Sequence, residues 1–220
     1  MAAQVAVEYV SAQLSDGSTL ATPYWRVSSG REGPFLLIVA AQHGNEVQGS
    51  EVIRRFLPLC AETLRAGEAW LVPFMSRPAL HDRRNTAGLG AEEKGTPFHQ
   101  AHNMNGQWPG DPAGSDIARI VHALDRAIVR HCSHVIDLHC WNKFWATATL
   151  ATDDGGESRR MGEAAGSRFV WWREVPDLSA ERTQIRTVVM ARGGAGMAME
   201  LAGQYLIDER EVLTGLRAVS

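Results

Sequence analysis

Four residues of this chain are of the types that together hold a metal ion and move a proton: His43, Glu46, His139 and Glu200. His43 and Glu46 close the stretch from Phe35 to Glu46, FLLIVAAQHGNE, where a run of apolar residues gives way abruptly to polar ones. His139 ends a second apolar run, HVIDLHCW, and Glu200 is the polar residue of a third, MAMEL. Two neutral imidazoles and one carboxylate leave the fourth position of a tetrahedral ion open for water, which is how catalytic rather than structural zinc is held. Such an ion lowers the pKa of its water to about 7 and polarises a carbonyl. A second carboxylate that is not a ligand must then take the water's proton and pass it to the leaving amine, and Glu200 is the candidate.

The elements that must position these residues are legible around them. A continuous apolar run entered through Gly33-Pro34 fits a strand at 35 to 41 buried on both faces, as in a parallel sheet covered by helices. In such sheets ligands bind outside the carboxyl ends of the strands, where His43 and Glu46 fall. Gly44 lets the backbone turn between strand and helix. The segment from Ser50 predicts an amphipathic helix interrupted or bent near Pro58. Residues 4 to 10 and 19 to 28, separated by SDGS, predict an antiparallel hairpin at the sheet's edge. AWLVPF at 69 to 74 predicts a short strand, and residues 76 to 114 a long loop, rich in Gly, Pro and Asn, of the kind that is usually functional or mobile.

Ser115 is an N-cap for a helix whose apolar face carries Ile117, Ile120, Val121, Leu124 and Ile128. Strands are expected at HVIDLHCW, ATATLAT, 168 to 172 and MAMEL. Helices are expected at 157 to 166, at 183 to 192 before Gly193-Gly194, and from Asp208. The pattern is that of an α/β fold, a three-layer, mostly parallel mixed sheet with helices on both faces.

At 220 residues the chain suits one substantial core, and 1 to 220 is read as a single catalytic domain. A net charge of -3 gives no footprint for nucleic acid or an anionic membrane. No apolar stretch approaches the roughly 20 residues that span a bilayer, and the N-terminus lacks a signal-peptide pattern, so a cytoplasmic location is expected. Cys60, Cys132 and Cys140 form no close pair, which fits a reducing compartment. Nothing in the chain argues against a homo-oligomer.

HGNE after a buried strand, NMNGQWPG in the long loop, DLHC ending a later strand and ME ending the last one resemble the succinylglutamate desuccinylase and aspartoacylase family, which shares the zinc carboxypeptidase fold. The resemblance runs over roughly residues 30 to 205. It implies one zinc ion per chain, bound by His43, Glu46 and His139, with Glu200 as general base and acid. It implies a loop arginine beside the zinc, Arg83 or Arg84, that stabilises the oxyanion, as charge developing on a carbonyl oxygen requires. Asp137, two residues before His139, shares its strand face and is placed to orient that imidazole.

The family's Asn-Arg pair for the substrate carboxylate is present here as Asn105 and Gly106. Hydrogen cannot stand in for a bidentate guanidinium, so either Arg77, Arg186 or Arg192 takes over the anchor or the substrate lacks that carboxylate. The family commonly appends a small C-terminal β domain, which is not expected within these 220 residues, and on that expectation the site would be more open or covered by a partner chain. Trp108, Trp141 and Trp145 beside the motifs read equally as pocket walls or as core. HCSH at 131 to 134 has metal-like spacing but reads as structural, as does Cys140. His99, His102 and the Glu92, Glu93, Lys94 run read as exposed loop.

The expected activity is that of a zinc amidohydrolase removing an acyl group from a small N-acylated amino acid or amine. The alternatives are a zinc carboxypeptidase, against which the absent arginine counts, and a zinc-binding interaction module without catalysis, against which Glu200 counts.

Overall fold

Leu37 and Ile38 are neighbours in one strand, both fully buried and facing opposite cores, each stabilising the fold by about 2 kcal/mol relative to exposure. That double burial makes the strand an inner member of a covered sheet, as the computed structural model of the chain shows. It describes residues 3–87, 101–142 and 145–220. The eight strands are β1 (Gln4–Gln13), β2 (Thr19–Ser28), β3 (Phe35–Ala40), β4 (Glu68–Val72), β5 (His134–Cys140), β6 (Ala148–Thr152), β7 (Val170–Arg173) and β8 (Ala195–Leu201). They form one sheet in the order β1-β2-β4-β3-β5-β8-β6-β7. The pairs β3–β4, β3–β5, β5–β8 and β6–β7 are parallel, and β1–β2, β2–β4 and β6–β8 antiparallel. The hairpin forms an edge as expected, with β1 running on to Gln13.

The helices that lie wholly within the described residues are α1 (Gln48–Thr63), α2 (Arg77–Asp82), α3 (Asp116–Ala127), α4 (Glu157–Ala164), α5 (Ile185–Ala191) and α6 (Glu209–Val219). Helices α3 and α5 cover one face of the sheet, packing Ile117, Ile120, Leu124, Ile185 and Val189 over Leu37, Val39 and Val135. Helices α1 and α6 cover the other, packing Val52, Ile53, Phe56 and Val212 over Ile38, Ala40, Leu138 and Met199. Ser115 caps α3, its Oγ accepting from Ala118 N–H at 3.3 Å. No helix among the described residues is long and apolar enough to cross a membrane.

Two expectations are corrected, the interruption at Pro58 and the unbroken loop from 76, and Gly44 gains a second role. Helix α1 runs unbroken through Pro58. Pro58 and Arg54 both lie on its exposed side, so the carbonyl deprived of its intrahelical donor faces water. The segment from 76 is not loop throughout: α2 and a 3-10 turn at Met104–Gly106 lie within it. Gly44 is needed for close approach more than for a turn, since a Cβ there would lie 1.8 Å from the carbonyl oxygen of Ala79 in α2. The Glu92, Glu93, Lys94 run and His99 lie outside the described residues.

Candidate metal centre and active-site cleft

Strands β3, β5 and β8 are adjacent, so their carboxyl ends bring the expected residues together. Glu200 in β8 is the register partner of His139 in β5 and shares its face. Past the end of β3, Ala41 takes a left-handed conformation with φ of 56° and the chain leaves the strand. Ser76 N–H donates to Ala41 O at 2.9 Å, which holds that corner.

His43, Glu46 and His139 are buried and each offers a donor atom within 4.8 Å of the others. The two Glu46 oxygens face one imidazole each, Oε1 lying 2.8 Å from His43 Nδ1 and Oε2 2.8 Å from His139 Nδ1. The far nitrogens also face acceptors: His43 Nε2 donates to Asn103 Oδ1 at 3.0 Å, and His139 Nε2 to Asp137 Oδ2 at 2.9 Å. With oxygen at both nitrogens of both rings, the space around Glu46 calls for positive charge, as protons on Nδ1 or as a cation in their place. Burial pushes the Glu46 carboxyl up, but the charges and hydrogen bonds of His43 and His139 outweigh it and hold it well below the usual carboxylate range. Burial depresses His139, yet Asp137 and Glu46 overcome it and raise its pKa well above the ordinary value. The donor set suits zinc: imidazole nitrogens and a carboxylate oxygen, with outer partners fixing each ring. Among the described residues this is the one such group.

Glu200 is a different kind of carboxylate. Among the described residues it makes no hydrogen bond or ion pair, and burial, with the charges of Glu46 and Asp137 added, pushes it up to about 7 against the opposing effect of His139. A carboxyl poised there is matched to proton transfer near neutral pH.

His43, Glu46 and Glu200 line a cleft of about 660 Å³ together with Asn45, Arg84, Asn103, Asn105, Trp141, Trp145 and Tyr205. Arg84 turns toward it, its carbonyl accepting from Gly44 N–H at 2.8 Å, whereas Arg83 caps α2 and is exposed. Asn105 lines the cleft with a buried Oδ1 that has no partner among the described residues, while Gly106 is exposed with open space at its Cα. Trp141 and Trp145 pack together at 5.3 Å on the cleft wall, with Trp145 55% exposed; Trp108 is fully buried core.

Two of the three alternative anchors are engaged elsewhere. Arg192 grips Asp125 bidentately at 2.7 and 3.0 Å, and Arg77 donates to Ala21 O. Arg186, 8% exposed, lines a second cavity of about 540 Å³ beside Trp171 and Arg173, bonded to Leu150 O at 3.2 Å and Gln184 Oε1 at 3.0 Å. No carboxylate pairs with it among the described residues, and burial depresses its pKa, with Asp137 and Glu200 acting the other way.

Sequence reasoning missed Gln42, Asn103 and Gln204. Gln204 Nε2 donates to Cys140 O at 2.8 Å and to Glu46 Oε1 at 3.2 Å, and its Oε1 accepts from Asn45 Nδ2 at 2.8 Å. Its loop is tied down by Gln48 at the start of α1, whose Nε2 donates to Gly203 O at 2.9 Å. The available signal was proximity to the motif residues, which does not tell such amides from loop.

The model of the succinylglutamate desuccinylase/aspartoacylase catalytic domain matches residues 32–217. The chain belongs to that family. An N-alpha-acetyl-L-2,4-diaminobutyric acid deacetylase of Halomonas elongata is 30% identical over 141 residues, 61% of this chain. The chain spans only 37% of that relative's length. Among solved structures, a succinylglutamate desuccinylase/aspartoacylase of Rhodobacter sphaeroides superposes with a TM-score of 0.79 at 20% identity, covering 100% of this chain and 64% of that one. A metallo-carboxypeptidase of Burkholderia cenocepacia gives 0.69 at 14% identity over 98% and 63% of the two chains. The chain thus combines the family's catalytic-domain fold with a metal-competent His-Glu-His group.

Proposed function

We propose that this domain is a zinc-dependent deacylase that hydrolyses the amide bond of a small N-acylated amino acid. The observation that carries the reading is Glu200: a carboxyl without a hydrogen-bond or ion-pair partner among the described residues, raised to about 7, side by side with His139 and lining the cleft with His43 and Glu46. A group serving only to hold a metal for stability has no use for such a base.

His43 Nδ1, Glu46 and His139 Nδ1 would hold the ion. Zinc bound there would acidify water and polarise the scissile carbonyl. Glu200 Oε takes a proton from the attacking water and returns it to the departing amine. Arg84 is the arginine we assign to the oxyanion, because it lines the cleft and Arg83 does not. Asn105, with its unpartnered Oδ1, accepts from a donor on the substrate.

We assign the substrate's carboxylate to Arg186. Its guanidinium reaches the carbonyl of Leu150, which pairs with Ala198, two residues and so about 7 Å along β8 from Glu200. The relative named for deacetylating N-α-acetyl-L-2,4-diaminobutyric acid supports N-acetyl amino acids as the first substrates to try.

The test is a panel of N-acetyl and N-succinyl amino acids, their carboxamides, and short peptides, assayed with zinc. Cleavage of acyl amino acids, with Arg186→Gln raising KM for the acids but not the carboxamides, is the expected result. Cleavage confined to peptides, or no zinc binding by the purified chain, would overturn the proposal.

A further inference from the structure

Behind His139 a hydrogen-bond chain runs into the core and ends on an indole. Trp108 Nε1–H donates to Gln42 Oε1 at 2.8 Å, and Gln42 Nε2 donates to Asp137 Oδ2 at 2.7 Å. The same carboxylate oxygen accepts from His139 Nε2 at 2.9 Å. All four side chains are buried.

The chain has a direction. An indole N–H can only donate, so the oxygen of the Gln42 amide must face Trp108 and its NH2 must face Asp137. A carboxylate can only accept, so His139 keeps a proton on Nε2 toward Asp137, and Nδ1, toward Glu46, is the nitrogen that can exchange its proton for a metal. Trp108 is itself fixed, its N–H donating to Thr183 O at 3.1 Å and its carbonyl accepting from Thr183 N–H at 2.9 Å.

Asp137 is the weak link that Gln42 steadies. Among the described residues both of its hydrogen bonds fall on Oδ2, while Oδ1 is buried without a partner. Remove the amide donor and the carboxylate is free to turn about its bond to Cβ, carrying the acceptor of His139 with it. We propose that Gln42 and Trp108 are positioning residues: they orient Asp137 and, through it, the nitrogen that His139 offers to a metal. The proposal rests on the metal reading of the site. It goes beyond that reading by assigning a role to an indole and an amide whose side chains hydrogen-bond to Asp137 and to each other rather than to a proposed ligand. The plainer alternative is that Gln42 merely satisfies a buried indole.

Four variants separate the two: Gln42→Leu, Trp108→Phe, the double variant, and Gln42→Leu in an Asp137→Ala background. The readouts are zinc affinity by chelator competition, the melting temperature of the metal-free protein, and the His139 Nε2–H proton resonance in nitrogen-resolved NMR. Gln42→Leu is expected to weaken zinc binding about 10-fold, as loss of an outer partner does, and to lower the melting temperature by stranding the indole. Adding Trp108→Phe removes the stranded donor, so the melting temperature recovers and zinc affinity does not. In the Asp137→Ala background Gln42→Leu costs no further affinity.

Zinc affinity within twofold of the parent, recovery of affinity together with stability in the double variant, or full additivity with Asp137→Ala would each overturn the proposal. Should Gln42→Leu alone fail to fold, the double variant decides. Should the parent bind no zinc, the proposed function fails separately. The Nε2–H resonance then decides: its broadening or loss in metal-free Gln42→Leu supports the positioning role, and its persistence unchanged refutes it.

Discussion

Glu200→Gln probes the base by the energy it costs the fold. A carboxyl whose pKa is raised on folding binds its proton more tightly in the folded state. Below the unperturbed 4.5 both states are protonated and nothing is lost. As pH rises toward about 7 the unfolded chain ionises first and stability falls, after which the loss is constant. The gap between about 7 and 4.5, at about 1.4 kcal/mol per pH unit, amounts to about 3 kcal/mol. Glutamine has nearly the same shape and no proton to lose. The metal-free variant should therefore match the parent near pH 4 and exceed it by about 2 to 3 kcal/mol at pH 8, allowing for partial solvent screening. Urea denaturation of both proteins in chelator, at pH values from 4 to 8.5, measures the difference, and the other titrating groups cancel in the comparison. Parallel curves with no pH-dependent gap would show that Glu200 is not raised and would remove the argument for its role. With zinc, the same variant should retain the metal and lose about 10²- to 10⁴-fold in kcat.

The other predictions are simpler. His139→Ala should weaken zinc binding by more than the roughly 100-fold upper end seen for outer partners, measured by chelator competition. Arg192→Ala leaves Asp125 buried and uncompensated and should cost on the order of 3 kcal/mol in urea denaturation, with KM unchanged because Arg192 is committed to that pair. Gly44→Ala drives a Cβ into the Ala79 carbonyl, so α2 must shift; a loss of about 1 to 3 kcal/mol is expected, with weaker zinc binding because Arg84 and His43 move with it.

The convergence of His43, Glu46 and His139 was legible because each closes an apolar run long enough to be a buried strand, and parallel strands end on one side of a sheet. HGNE, DLH and the terminal Glu need only that topology to meet. The mixed sheet and most helices followed from the same patterns, with Ser115 and Asp208 as the caps. Pro58 misled because a helix breaker was judged without knowing that its carbonyl partner faces water. Helix α2 was hidden because six residues carry too little periodicity to stand out from loop.

By itself, then, the sequence determined which residues could bind a metal and which carboxylate was left over, since ligand chemistry belongs to residue type and strand order to hydrophobic pattern. What only the tertiary structure decided lies between segments far apart in the chain. Arg84 and not Arg83 lines the cleft, Arg192 is held by Asp125 while Arg186 has no acid partner among the described residues, and Gln42 meets Trp108 across 66 positions. Each of these is a matter of orientation and competing partners, which a hydrogen bond reads over tenths of an ångström and a one-dimensional pattern does not contain.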